Sequence, residues 1–198
     1  MIEKAVAEAE SPFDWFAEWY QQALKRPVKN PSAMGLSTVS EEGRPSSRVV
    51  LLKEWDTGGF VFYTNLESRK AVELDTNPFA SLLFYWDDLG KQIRIEGSIE
   101  AVSREQAQRY FKTRPIESQW GAWASMQSRT LSGRSELEER YQAFKERYPD
   151  TVPLPGTWGG YRLIPDRFEF WQSSSRRLHH RCLFEKAGGT WVSSLLYP

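Results

Sequence analysis

Cysteine and histidine are almost missing from this chain: one Cys, Cys182, and two His in 198 residues. A lone thiol forms no intrachain disulfide, and one cysteine with two histidines is a poor ligand set, so no metal is expected. Net charge is absent as well, with 26 Lys and Arg against 26 Asp and Glu. Without a basic excess, general electrostatic capture of nucleic acid or of an anionic membrane is not expected. No apolar run approaches the ~20 residues of a spanning helix, and the opening MIEKAVAEAE is acidic and alanine-rich, unlike a secretory signal. The default expectation is a soluble cytoplasmic protein. Common chemical signatures are missing too: GxGxxG, a phosphate loop ending in GK[ST], GxSxG and HExxH do not occur.

What is present is a globular composition, 40% hydrophobic and 14% aromatic with 9 Trp, which is too apolar for a disordered chain. A chain of this length buries roughly 70% of its unfolded surface and needs no covalent staples. Residues 1–10 read as a flexible N-terminal arm and 11–198 as one domain. Ser11, Pro12 and Asp14 have the composition of a helix start. Phe13, Phe16, Tyr20 and Leu24 then predict one apolar helix face, closed by Pro27 and Pro31.

From residue 33 the period changes. MGLSTV, SSRVVLLKEW and GFVFYT predict strands separated by the turns EEGRP and DTGG. A short helix is expected from Ser68 to Asp75, followed by the strands FASLLFYW and KQIRIEGSIEAV joined at DDLG. In the second of these, Gln92, Arg94 and Glu96 alternate with Ile93, Ile95 and Gly97. Ser103 opens a helix carrying Tyr110 and Phe111, and a charged helix spans about 134–147. PDTVPLPGTWGG reads as a loop, with YRLI, RFEFWQ, RRLHHRCLFEK and TWVSSLLY as strands after it; Gly188 and Gly189 turn the last pair. Short strands with helices between groups of them predict a β-barrel decorated by helices.

Three clusters carry potential chemistry. If RRLHHR is a strand, alternation puts Arg177, His179 and Arg181 on one face, an anion-binding and proton-handling arrangement; a charged, solvated edge strand has the same look. Tyr110, Arg114 and Ser118, spaced by four, offer a phenol, a guanidinium and a hydroxyl suited to phosphate, with Pro115 re-aiming the last turn. Ser68-Arg69-Lys70 opens a helix where free backbone N–H groups and two cations favour an anion. Arg48 and Lys53 bracket an apolar run, and their odd separation gives no sign that they share a site. Trp158, Trp171 and Trp191 are suited to stacking on a ring or to filling a core. These clusters define no reaction by themselves.

Taken together and in order, RVVLLK (48–53), VFYTNLESRKAVEL (61–74), SLLFYW (81–86), KQIRIEG (91–97), YFKTRP (110–115), SQWGAWAS (118–125), QS (127–128), VPLP (152–155), WGGYRL (158–163), FEFWQ (168–172) and RLHHR (177–181) resemble the pyridoxamine 5′-phosphate oxidase family. The resemblance runs from about residue 12 to the C-terminus. It implies a mainly β fold with helices, an FMN-binding, Greek-key-like split β-barrel flanked by α-helices, assembled as a homodimer with FMN at the subunit interface. It also implies oxidation of pyridoxamine or pyridoxine 5′-phosphate to pyridoxal 5′-phosphate, with dioxygen reduced to hydrogen peroxide.

By position, the resemblance assigns FMN to Arg48, Val49, Val50, Leu51, Leu52, Lys53, Tyr63, Thr64, Arg69, Lys70, Gln92, Gln127, Ser128, Trp171 and Arg181. It assigns the substrate phosphate to Lys53, Tyr110, Arg114 and Ser118, and the substrate ring to the catalytic pair Arg177 and His179. Two departures stand out. His180 occupies a position where the family usually has an acid, and the short arm lacks the basic, tyrosine-containing stretch that some members fold over the site. Another flavin oxidoreductase on the same barrel, and a non-enzymatic carrier of FMN or pyridoxal phosphate, are the competing readings.

Overall fold

The computed structural model describes residues 11–26 and 28–198. The expected arm at 1–10 and the helix-closing Pro27 lie outside them. Helix α1 (Pro12–Lys25) starts as its sequence dictates: Pro12 occupies the first turn and the Ser11 hydroxyl accepts from the Phe13 N–H at 3.2 Å. Its buried face differs from the expected one. Phe13, Phe16, Trp15, Trp19 and Ala23 are buried, whereas Leu24 is half exposed. The helix packs into the concave side of a curled sheet, so rings are contacted over a wide arc. Phe13 meets Phe60 and Phe168, Phe16 meets Trp55 and Phe84, and Trp15 meets Phe170 and Phe184.

Nine antiparallel strands form that sheet: β1 (Ala33–Val39), β2 (Pro45–Leu51), β3 (Glu54–Asp56), β4 (Gly59–Asn65), β5 (Phe79–Trp86), β6 (Lys91–Ala101), β7 (Trp158–Gln172), β8 (His180–Ala187) and β9 (Thr190–Leu195). The order is β2-β1-β5-β6-β7-β4-β3, with β8 on β7 and β9 on β8. The first half of β7 pairs with β4 and the second half with β8, while β6 runs along its other edge. One long strand thus belongs to two diverging groups, which splits the barrel.

Several expected boundaries change. YRLI and RFEFWQ are one strand, and Trp158 to Gly160 belong to it rather than to the preceding loop. A bulge takes up the intervening proline: Glu96 faces Arg167 and Gly97 faces Pro165, leaving Asp166 as the extra residue. Gly97 is required there, because a Cβ would lie 2.0 Å from the Ile164 carbonyl oxygen. SSRVVLLKEW breaks after Leu51 into β2 and β3. In RRLHHRCLFEK the strand begins only at His180. Residues 175–177 form a short 3-10 turn in which Arg176 and Arg177 have φ of 57° and 61°, so alternation does not extend back from Arg181 to Arg177. The final hairpin is as expected, with positive φ at Gly188 and Gly189 between Ala187 and Thr190.

The remaining α-helices among the described residues are α2 (Arg69–Thr76), α3 (Arg104–Thr113), α4 (Ile116–Ala124) and α5 (Arg134–Arg147). Only α4 was not anticipated from the sequence pattern. A second, smaller core of Ala107, Phe111, Trp120, Val152 and Trp158 fixes α3 and α4 against β7. The Arg104 guanidinium donates to the carbonyls of Leu154, Pro155 and Trp158 and so ties down the proline-rich loop. Among the described residues no helix is long and apolar enough to cross a membrane.

Candidate active site

A cleft of about 1030 Å³ opens between β2, the end of β4, the start of α2, the α3–α4 corner and residues 125–128. Five cations line it: Arg48, Lys53, Arg69, Lys70 and Arg114. Among the described residues lining it there is no Asp or Glu. In a protein with no net charge, this local excess creates a site for anions.

At one end sits Lys70, only 8% exposed. Its Nζ donates to Gln127 Oε1 (2.7 Å), Ser68 Oγ (3.0 Å) and Thr64 Oγ1 (3.1 Å), all neutral acceptors. Burial, together with the neighbouring Arg48 charge, lowers its pKa to about 8 against the opposing pull of Glu73. Ser128, beside Gln127, holds a left-handed φ of 72°, a strained conformation of the kind found at binding sites. Asn65 supports this segment by donating to the Ser125 carbonyl at 3.4 Å.

Behind the cleft lies Glu73, on α2 and 6% exposed, with Oε1 accepting from Arg69 Nε (2.8 Å). Its Oε2 accepts from Ser46 (2.7 Å), Arg48 Nη2 (3.2 Å) and Thr38. Burial works to raise the Glu73 pKa, but these four donors prevail and hold it at about 2.

At the other end α3 stops at Thr113 and Pro115 re-aims the chain, as the sequence implied, with the unanticipated α4 following it. This places Tyr110, Arg114 and Ser118 along one wall with Lys53, whose Nζ lies 5.8 Å from the centre of the Tyr110 ring. The Arg114 guanidinium rests on Trp158 at 4.9 Å and on Phe111 at 5.5 Å. Its Nη1 is buried with no hydrogen-bond partner among the described residues, and burial lowers its pKa. A buried donor of this kind costs free energy until an acceptor arrives. Tyr63 lies parallel to both Tyr110 (4.2 Å) and Trp158 (5.3 Å), which stiffens the wall. Burial and the hydrogen bond to Glu54 push the Tyr63 phenol well above its ordinary pKa.

The remaining expected residues are elsewhere. Leu52 is in the main core rather than in the cleft. Gln92, Trp171 and Arg181 form a row across β6, β7 and β8. His179 packs on Trp171 at 4.8 Å, its Nδ1 accepting from the Ser174 N–H at 3.2 Å. Arg177 is exposed in the adjacent turn. Arg181 pairs with buried Glu169 at 2.8 Å and donates to the Tyr197 carbonyl. None of these residues lines the cleft within one chain. Sequence reasoning missed Glu73, Thr38 and Ser46. The four-residue spacing of Arg69 and Glu73 was a visible signal, but the Thr38–Ser46 pairing needed the strand register.

A curled antiparallel sheet flanked by helices, with a cation-lined and ring-walled cleft at its edge, defines a split-barrel protein built to hold anionic ligands. Residues 20–148 match the family model described as pyridoxamine 5′-phosphate oxidase, and 158–198 match the pyridoxine 5′-phosphate oxidase C-terminal dimerisation region. The chain belongs to the pyridoxamine 5′-phosphate oxidase family. It is 51% identical over 191 residues to the pyridoxine/pyridoxamine 5′-phosphate oxidase of Bordetella pertussis, covering 96% of this chain and 90% of that one. The protein of the same name from Burkholderia lata is 49% identical over 193 residues, with the same coverages.

Among solved structures, PhzG from Burkholderia lata 383, in complex with tetrahydrophenazine-1-carboxylic acid, superposes with a TM-score of 0.94 at 32% identity, over 98% of this chain and 96% of that one. A pyridoxamine 5′-phosphate oxidase-related, FMN-binding protein from Nostoc punctiforme shares the fold at 17% identity, with a TM-score of 0.77 over 95% of this chain and 98% of that one.

Proposed function

We propose that this protein is an FMN-dependent oxidase that converts pyridoxamine 5′-phosphate and pyridoxine 5′-phosphate to pyridoxal 5′-phosphate. Dioxygen accepts the electrons and leaves as hydrogen peroxide; the amine substrate also consumes water and releases ammonia. The observation that carries this reading is the five-cation, carboxylate-free cleft. Its volume of about 1030 Å³ is at the upper end for a single drug-sized ligand and suits two phosphorylated aromatic molecules side by side. FMN, when bound, supplies the two-electron chemistry, and the chain supplies binding, orientation and electrostatics.

The residues fit that division. Arg69 and Lys70, at the start of α2, with Gln127 and Ser128 opposite, would hold the FMN phosphate. Arg48 to Leu51, Tyr63 and Thr64 would flank the rest of the cofactor. Lys53, Tyr110, Arg114 and Ser118 would hold the substrate phosphate, and the unpartnered Arg114 Nη1 is a donor in need of such an acceptor.

Gln92, Trp171, Arg177, His179 and Arg181 would reach the cleft from the second protomer of a homodimer. Supporting that assembly are the match of 158–198 to the family's dimerisation region and an outward sheet face on which Val49, Leu83 and Tyr85 are exposed beside Gln92 and Trp171. Arg177 would then steady charge on the substrate, while His179 would orient it or exchange a proton.

A second reading comes from the likeness to PhzG: a flavin oxidoreductase for a carboxylated, non-phosphorylated ring system. The 51% identity to the phosphate-substrate oxidases, against 32% to PhzG, favours the first. Purified protein should show FMN absorption bands and release peroxide in proportion to pyridoxamine 5′-phosphate consumed. A yellow protein without peroxide points to a carrier. Turnover only of a non-phosphorylated ring substrate points to the second reading.

A further inference from the structure

We propose that Glu73 is the positioning residue of the FMN phosphate subsite, fixing the Arg48 and Arg69 side chains at its rim; this rests on the cleft binding FMN. The two carboxylate oxygens divide the work. Oε1 holds Arg69 Nε at 2.8 Å, which leaves both of that guanidinium's terminal nitrogens for the cleft. Oε2 holds Arg48 Nη2 at 3.2 Å and gathers the hydroxyls of Ser46 and Thr38, which in turn accept from the same guanidinium. Arg48 Nη1 also donates to the Leu36 and Ser46 carbonyls, so every terminal nitrogen of Arg48 is committed to the protein. Arg48 is therefore a fixed part of the wall, and Arg69, 62% exposed, is the cation that the carboxylate aims. Glu73 lies behind the cleft and is not among the residues lining it.

Charge and geometry make opposite forecasts here. Glu73 is the carboxylate paired with both Arg48 and Arg69, and removing its charge makes the subsite more positive. Electrostatics alone would then tighten binding of a phosphate. Geometry argues the reverse. In Glu73→Gln one oxygen becomes an NH₂ donor facing the Arg69 donor or the Arg48 donor, so one guanidinium loses its anchor. The expected result is FMN binding weakened about ten- to a hundredfold.

The charged groups bearing on Lys70 are Arg48, which lowers its pKa, and Glu73, which raises it. Losing Glu73 moves the alkaline limit of FMN binding to lower pH, a readout that loosened packing would not shift. The test is equilibrium titration of the full-length, FMN-free chain with FMN, followed by flavin fluorescence from pH 6.5 to 9.5. Wild type, Glu73→Gln, Arg69→Ala and the double variant are compared. Support is weaker binding by Glu73→Gln, an alkaline limb at lower pH, and a double variant no weaker than the stronger single effect.

Unchanged or tighter binding, an unmoved limb, or additive losses in the double variant would overturn the proposal. If Glu73→Gln does not fold, Thr38→Val loosens the carboxylate from behind the cleft and should weaken FMN several-fold; unchanged affinity there overturns it equally. Failure of the wild type to bind FMN defeats the cofactor assignment instead, and is read separately.

Discussion

Replacing Lys70 by Met should weaken FMN binding while removing a pH-dependent strain from the ligand-free protein. The Lys70 ammonium is 8% exposed and touches only neutral oxygens, and its pKa falls from 10.5 to about 8. At about 1.4 kcal/mol per tenfold change in proton affinity, this is a penalty of about 3 kcal/mol for keeping the charge in the folded state. The sign follows from proton counting. Between pH 8 and 10.5 the unfolded chain holds the Lys70 proton and the folded chain has released it, so stability attributable to this group rises with pH across that window. Below pH 8 the penalty is fully present.

Urea unfolding of both ligand-free proteins at pH 7, 8.5 and 10 measures the effect. The stability of Lys70→Met relative to wild type should fall by about 2.5 kcal/mol between pH 7 and pH 10, most of the full penalty, because the wild type alone is relieved. At pH 7 the variant should bind FMN ten- to a hundredfold more weakly, through loss of a charge-assisted bond of ~1.5–3 kcal/mol. Wild-type FMN affinity should decline above pH 8 as the ammonium is lost. A stability difference that does not change with pH would refute the buried-cation argument, and unchanged FMN affinity would remove Lys70 from the site.

Arg114→Ala should raise the KM for pyridoxamine 5′-phosphate roughly ten- to a hundredfold and leave FMN binding unchanged, as steady-state kinetics and flavin titration would show. Arg177→Ala and His179→Ala should keep the flavin spectrum and depress turnover. His180→Ala, exposed at the start of β8, should behave like wild type, and the reverse ranking would discard this assignment. Gly97→Ala should destabilise the fold by more than ~2 kcal/mol in urea unfolding, because the backbone atoms 2.0 and 2.8 Å from the new Cβ cannot move aside as a side chain could. Sedimentation should find an FMN-bound dimer at micromolar concentration; an active monomer would contradict the shared cleft.

Local chemistry made much of this legible from the chain. The Ser11 cap, the alternation of Gln92, Arg94 and Glu96, the charged helix from Arg134 to Arg147 and the Gly188-Gly189 turn depend on neighbours a few residues away. So did the break at Pro115 that aims Arg114 and Ser118. The failures also had local causes. Arg176 and Arg177 adopt left-handed φ values that no propensity of arginine announces, so the strand drawn through RLHHR began too early. Helix α4 was overlooked because it is only nine residues long, follows Pro115 and carries Gly121 at its middle, which masks the helical spacing of Ile116, Trp120 and Trp123; both tryptophans pack on α5.

Sequence by itself determined most of the element types, the absence of a disulfide pair and the cationic motifs, because these follow from residue identity and short-range sterics. Tertiary structure alone decided which cations share a cleft. Arg48 and Arg69 are 21 positions apart, and they meet because Thr38 pairs with Ser46 across β1 and β2 while α2 sets Glu73 behind them. It also separated Gln92, Trp171 and Arg181 from that cleft within one chain, although the sequence motifs had joined them. Coulomb forces and hydrogen bonds act over a few ångströms of space, and only strand register converts distance along a chain into distance in space.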